Sequence, residues 1–91
     1  MIYYKHIARV NHNTVCLTIE IDAKAWHAAD KGTLYGVDIG NDIYRVTGIN
    51  TVNPSVNDHG RASKGIKTIK IYYNDTEWAP MTNVVRFDRA A

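Results

Sequence analysis

The sequence predicts an α+β domain: a mostly antiparallel sheet of five to six strands, flat or curled into a small barrel, with one short helix near residues 22–31. Three observations carry that prediction. Thr14 to Ile21 alternates Val15, Leu17, Ile19 and Ile21 with Thr14, Cys16, Thr18 and Glu20, the period of two of a strand with one buried face. An alanine-rich segment follows it, bracketed by helix start and stop signals. Turn residues then separate several further apolar runs too short for helices.

Taken in order, Ile2 to Val10 is rich in Tyr and Ile and reads as the first strand. Asn11-His12-Asn13 is turn chemistry, because Asn tolerates left-handed backbone angles. The two flanking strands should form a hairpin. Between Asp22 and Lys31, Ala23, Ala25, Ala28 and Ala29 favour helix. Asp22 can cap the start, and Lys31 with Gly32 suits the end. Trp26, Ala23 and Ala29 would give this helix an apolar stripe to lay on the sheet.

Leu34 to Ile39 returns to alternation, Gly40-Asn41-Asp42 is a hairpin turn, and Ile43 to Ile49 is the partner strand. Asn50 to Gly65 holds Pro54, Gly60, Gly65 and several Ser and Asn residues and reads as a long flexible loop, the kind of segment that often carries function. Ile66 to Tyr73 is a strand that Asn74-Asp75 should end. Trp78-Ala79-Pro80 is extended, since the residue before a proline avoids helix. Asn83 to Asp88 is the final strand. The stretch from Leu34 to Tyr73 resembles the strand–turn–strand–loop–strand pattern of small SH3-like or OB-like barrels, over less than half the chain and without a diagnostic residue. Ile2–Val10 and Asn83–Asp88 are the expected edge strands, through which copies of the chain could pair as a homo-oligomer.

The 91 residues suit one domain spanning 1–91. Eleven Lys and Arg against nine Asp and Glu leave a net charge of +2, which permits an acidic partner without demanding one. Cys16 is the single cysteine, so no internal disulfide holds the fold and a reducing compartment is compatible. No apolar run reaches the ~18–20 residues of a membrane helix, and Met1 to His6 lacks the pattern of a signal peptide. The expectation is a cytoplasmic protein with no membrane partner, in a host cytoplasm if the chain is phage-derived.

Catalytic chemistry finds little support. His6, His12, Cys16, His27 and His59 lack the paired spacing of a zinc site, so no metal and no cofactor is expected. Cys16 lies mid-strand with no base close in sequence. Asp38 with Asp42, and Asp75 with Glu77, flank turns and are explained by solvation. Gly60 and Gly65 bracket Arg61 and Lys64 but no phosphate loop follows.

The strongest functional signal is basic. His59, Arg61, Lys64, Lys67 and Lys70 fall in a stretch without acids between Asp58 and Asp75. Such a segment could face phosphates or an acidic protein surface, although strand parity sends Lys67 and Lys70 to opposite faces. Consecutive pairs Tyr3-Tyr4 and Tyr72-Tyr73 must likewise diverge, leaving one of each outside the core. Tyr72 and Trp78 are therefore candidate contact residues, since Tyr and Trp favour interfaces. The expected function is a non-enzymatic protein–protein interaction module, a small accessory protein of phage or mobile-element type acting as an inhibitor of a host factor or as an assembly component. The alternatives are a nucleic-acid-binding barrel using residues 61–70 and, third, a small enzyme.

Overall fold

The computed structural model describes residues 2–30, 34–52, 66–78 and 83–89. Strand β3 (Thr14–Asp22) buries Val15, Leu17 and Ile19 and turns Cys16 and Thr18 outward, as its alternation requires. At its end the Asp22 carboxylate accepts hydrogen bonds from the backbone N–H groups of Lys24 (2.9 Å) and Ala25 (3.4 Å). That N-cap starts α1 (Ala23–Asp30). The helix is too short to stand alone, and Trp26 anchors it at 5% exposure.

β4 (Gly36–Ile39) and β5 (Asp42–Val52) are joined by Gly40 and Asn41, both at positive φ. Two consecutive positive φ angles make the tight turn whose twist matches a hairpin. β6 (Ile66–Trp78) pairs antiparallel with both β5 and β3. β7 (Val84–Arg89) runs parallel to β4.

The N-terminal segment, expected as one strand, is two. β1 (Ile2–Tyr4) pairs parallel with β7, and β2 (His6–Arg9) pairs antiparallel with β3. Lys5 lies at the break and donates its backbone N–H to Thr18 O at 2.8 Å. The order is therefore β1-β7-β4-β5-β6-β3-β2. Because β1 and β2 are consecutive pieces of chain, its two ends meet, and the sheet curls into a nearly closed barrel. The sequence prediction is corrected in three respects. Among the described residues there are seven strands rather than five or six, the sheet is mixed through the parallel neighbours of β7, and the two expected edge segments pair with each other. Asn83–Asp88 is thus not an outer edge: Val84–Arg86 pair with β4 and Phe87–Arg89 with β1.

Other boundaries also move. β5 runs on to Val52, three residues into the expected loop, and residues 53–65 lie outside the described residues. β6 continues past Asn74-Asp75 to Trp78. It does so through an irregularity: Arg45 pairs with Asn74 but Tyr44 pairs with Trp78. Asp75, Thr76 and Glu77 are thus looped out opposite a single step of β5. The Asn74 side chain holds this loop, accepting from Thr76 N (2.9 Å) and Thr76 Oγ1 (2.6 Å). An Asx turn can interrupt a strand as well as end one.

A second bulge places Thr47 between Val46, opposite Tyr73, and Gly48, opposite Tyr72. The extra residue shifts the alternation by one. Gly48 consequently faces outward, where the Tyr72 ring lies over it, with Cδ2 4.0 Å from where a Cβ would stand.

The core is Val15, Leu17, Ile19, Val37, Ile69, Ile71, Tyr73 and Phe87, with Trp26 and Leu34. Strand directions place Trp26 and Leu34 at one end of the barrel, beside the end of β3 and the start of β4. Tyr73 and Tyr44 lie at the other.

Candidate functional site

The barrel end opposite the helix collects most of the interesting side chains. It is built from the start of β5, the end of β6, the β2–β3 turn, the Gly40-Asn41 turn and the last residues of β7. Tyr73 points inward and is 5% exposed. Tyr44 stacks on it, with ring centroids 5.5 Å apart and planes at 22°, a geometry aromatic pairs favour.

Arg9 ties this end together. Its guanidinium donates to Asn11 O and His12 O, each at 3.2 Å, and to the Asp75 carboxylate across the barrel rim. The hydrogen bond from Arg9 holds the Asp75 carboxyl below the ordinary carboxylate range. The same hydrogen bond, with Asp75's charge, raises the Arg9 pKa. Arg9 is half exposed and Asp75 partly so, and water screens the pair, so it positions the β2–β3 turn and the looped-out segment more than it stabilises the fold. Asp75 Oδ1 is shielded and finds no partner among the described residues.

The phenols are shifted upward, which argues against their use as bases or nucleophiles. Burial, then Tyr44 and Asp75, pushes Tyr73 up to about 12. Burial, then the charge of Asp42, raises Tyr44. An activated phenol would need the opposite shift. This has a measurable consequence. Because the folded pKa lies above the unfolded value of 10, the contribution of neutral Tyr73 is complete below pH 10 and is lost as pH rises towards 12. About 2–3 kcal/mol of stability should go in that window, by 1.36 kcal/mol per unit. Absorbance titration at 295 nm should show one tyrosine ionising with unfolding, and Tyr73→Phe should remove that alkaline step. Wild-type and variant unfolding at the same alkaline pH would refute this.

Trp78 stands out on the rim. The looped-out segment 75–77 delivers it back into register with Tyr44, where it is 77% exposed. Beside this rim, Tyr4, Lys5, His6, Ile7 and Arg89 line a groove of about 430 Å³, at the point where the chain switches from β7 to β3.

The expected site residues do not form one surface. Lys70 and Tyr72 share the outer face of the sheet, Lys70 opposite Thr18 and Tyr72 between Cys16 and Gly48. Lys67, opposite Ile21, has the other parity and lies towards the helix end. Trp78 is at the far rim. His59, Arg61 and Lys64 lie outside the described residues. Sequence reasoning missed Arg9, Tyr44 and Arg89. Arg9 and Asp75 are 66 residues apart, and nothing in their local sequence announces the contact.

Among the described residues no group of three His, Cys, Asp or Glu side chains converges to hold a metal ion, and no helix is long and apolar enough to cross a membrane. No family model, no curated protein and no solved structure matches the chain.

Proposed function

We propose that the protein is a non-enzymatic protein-binding module whose contact surface is the barrel rim around Trp78. The carrying observation is the placement of Trp78, held 77% exposed by a hydrogen-bonded loop-out. A large aromatic on a fixed backbone loses little conformational freedom on binding, which is why Trp dominates interface energetics. Within this reading the chain acts as a small accessory protein, either an inhibitor of a host factor or an assembly component, as phage and mobile elements encode.

The test combines capture with light scattering. Immobilised chain and its Trp78→Ala variant are exposed to the same cell extract, and retained proteins are quantified. Trp78→Ala should change folding stability by no more than about 0.5 kcal/mol, as for an exposed site. It should weaken retention of the specific partner by about 30-fold, the effect of losing a hot-spot side chain. Equal retention by both proteins removes Trp78 from the interface. Light scattering separates the two roles, a discrete complex for an inhibitor and rings or arrays for an assembly component. Added mixed-sequence nucleic acid gives the contrary outcome: a complex that weakens steeply with salt would favour the nucleic-acid reading. The divergence of Lys67 and Lys70 counts against that reading, because no single groove can engage both.

A further inference from the structure

We infer that the seam between β2 and the end of β7 captures an extended acidic segment of another protein, which adds as a strand to the free edge of β2. The inference rests on the protein-binding reading above but concerns a separate surface from Trp78.

The backbone argument comes first. Val10 donates its N–H to Thr14 O at 2.9 Å. Counting back by two along the register, Ala8–Cys16 and His6–Thr18 are the other hydrogen-bonded pairs. Ile7 and Arg9 therefore turn their N–H and C=O groups away from β3. Among the described residues β2 has no second strand neighbour, since β7, described as far as Arg89, pairs with β1. The outer edge of β2 is therefore unpaired among the described residues. An edge of that kind is a template for β-addition.

The groove defines the chemistry of the occupant. Its lining of Tyr4, Lys5, His6, Ile7 and Arg89 contains three basic residues and no acid, around a volume of about 430 Å³. Lys5 shares its charge with Glu20 at 3.0 Å, leaving Arg89 as the main cation of the lining. Tyr4 and Ile7 are half-buried against the core, while Lys5 and His6, at the break between β1 and β2, are exposed. A segment alternating apolar and acidic residues meets both sets at once. Such a strand places its apolar side chains over Tyr4 and Ile7 and its carboxylates beside Arg89, Lys5 and His6.

The probe is an octapeptide alternating valine and glutamate, with a valine–lysine octapeptide as control. Amide hydrogen exchange of the full chain is followed by NMR. The acidic peptide should slow exchange at Ile7 and Arg9 and leave Ala8 and Val10, already bonded to β3, unchanged. Methylating alternate peptide nitrogens on the pairing edge should abolish the effect. Arg89→Glu should weaken acidic-peptide binding about tenfold, within the range of charge complementarity at an interface, while Trp78→Ala should leave it intact. Absent protection at Ile7 and Arg9, or equal binding of the lysine peptide, overturns the proposal. Protection that grows with protein concentration alone overturns it in favour of self-pairing. Failure of the peptide together with Trp78-dependent partner capture rejects the seam and leaves the rim interface standing.

Discussion

Phe87→Ala is expected to lower folding stability by about 3–5 kcal/mol, the usual cost of emptying a buried phenylalanine site. Phe87 is 1% exposed and is the largest fully buried side chain among the described residues. Its strand bridges two others: β7 is parallel to β4 on one side and to β1 on the other, with Phe87 in register with Ile2. Losing the ring removes core contacts and loosens the strand with which β1 pairs. A domain of this length has about 5–14 kcal/mol in total, so the variant should sit near its unfolding threshold. Urea denaturation should show the loss at unchanged m-value, and thermal melts should fall by roughly 15–30 °C. Phe87→Leu should lose less, about 1–2 kcal/mol, because most of the volume is kept. Arg86→Ala, on the exposed side of the same strand, should stay within about 0.5 kcal/mol. A Phe87→Ala loss below that of Phe87→Leu would mean that the barrel does not depend on β7.

The parts of this fold that could be read in sequence are those fixed by neighbours along the chain. The Val15–Leu17–Ile19 alternation, the Asp22 cap and the Gly40-Asn41 turn are local devices, and the structure realises each where the sequence places it. The features that escaped depend on distant partners. Nothing in Ile2–Arg9 marks the break at Lys5, which exists because β7 takes one half of the segment and β3 takes the other. Parallel pairing of β7 likewise depends on a long return connection that leaves no period in the sequence. Asn74-Asp75 read as a strand ending because Asx chemistry is the same in a terminal turn and in a looped-out bulge. Of the candidate site, Trp78 was found through residue type, whereas the Arg9–Asp75 link and the Arg89 groove required the barrel to bring them together. The basic segment was the clearest sequence signal, yet in a strand a run of charge is divided between two faces, and Lys67 and Lys70 are separated in this way.

Ala8→Pro should cost about 3 kcal/mol, although Ala8 is exposed and its methyl group contributes little packing. The effect would be carried by the backbone. The register, with Val10 N–H bonded to Thr14 O, makes Ala8 and Cys16 a hydrogen-bonded pair, so proline deletes the N–H that reaches Cys16 O and leaves that carbonyl without its ladder partner. The pyrrolidine ring also projects into the space between β2 and β3. An ordinary strand can yield at its edge, but β2 holds the N-terminal segment to β3 beside a break at Lys5, where Lys5 N–H to Thr18 O continues the backbone contact. Loosening β2 therefore opens the barrel at its seam. Ala8→Thr keeps the N–H and favours a strand, and it should be neutral within about 0.5 kcal/mol. Paired urea melts of the two variants decide the matter. A costly Ala8→Pro beside a neutral Ala8→Thr places the Ala8 amide towards β3, and therefore those of Ile7 and Arg9 towards the groove. If both are neutral, the hydrogen-bonding parity of β2 is reversed, and the edge that faces the groove has no free amides at Ile7 and Arg9 to offer an incoming strand.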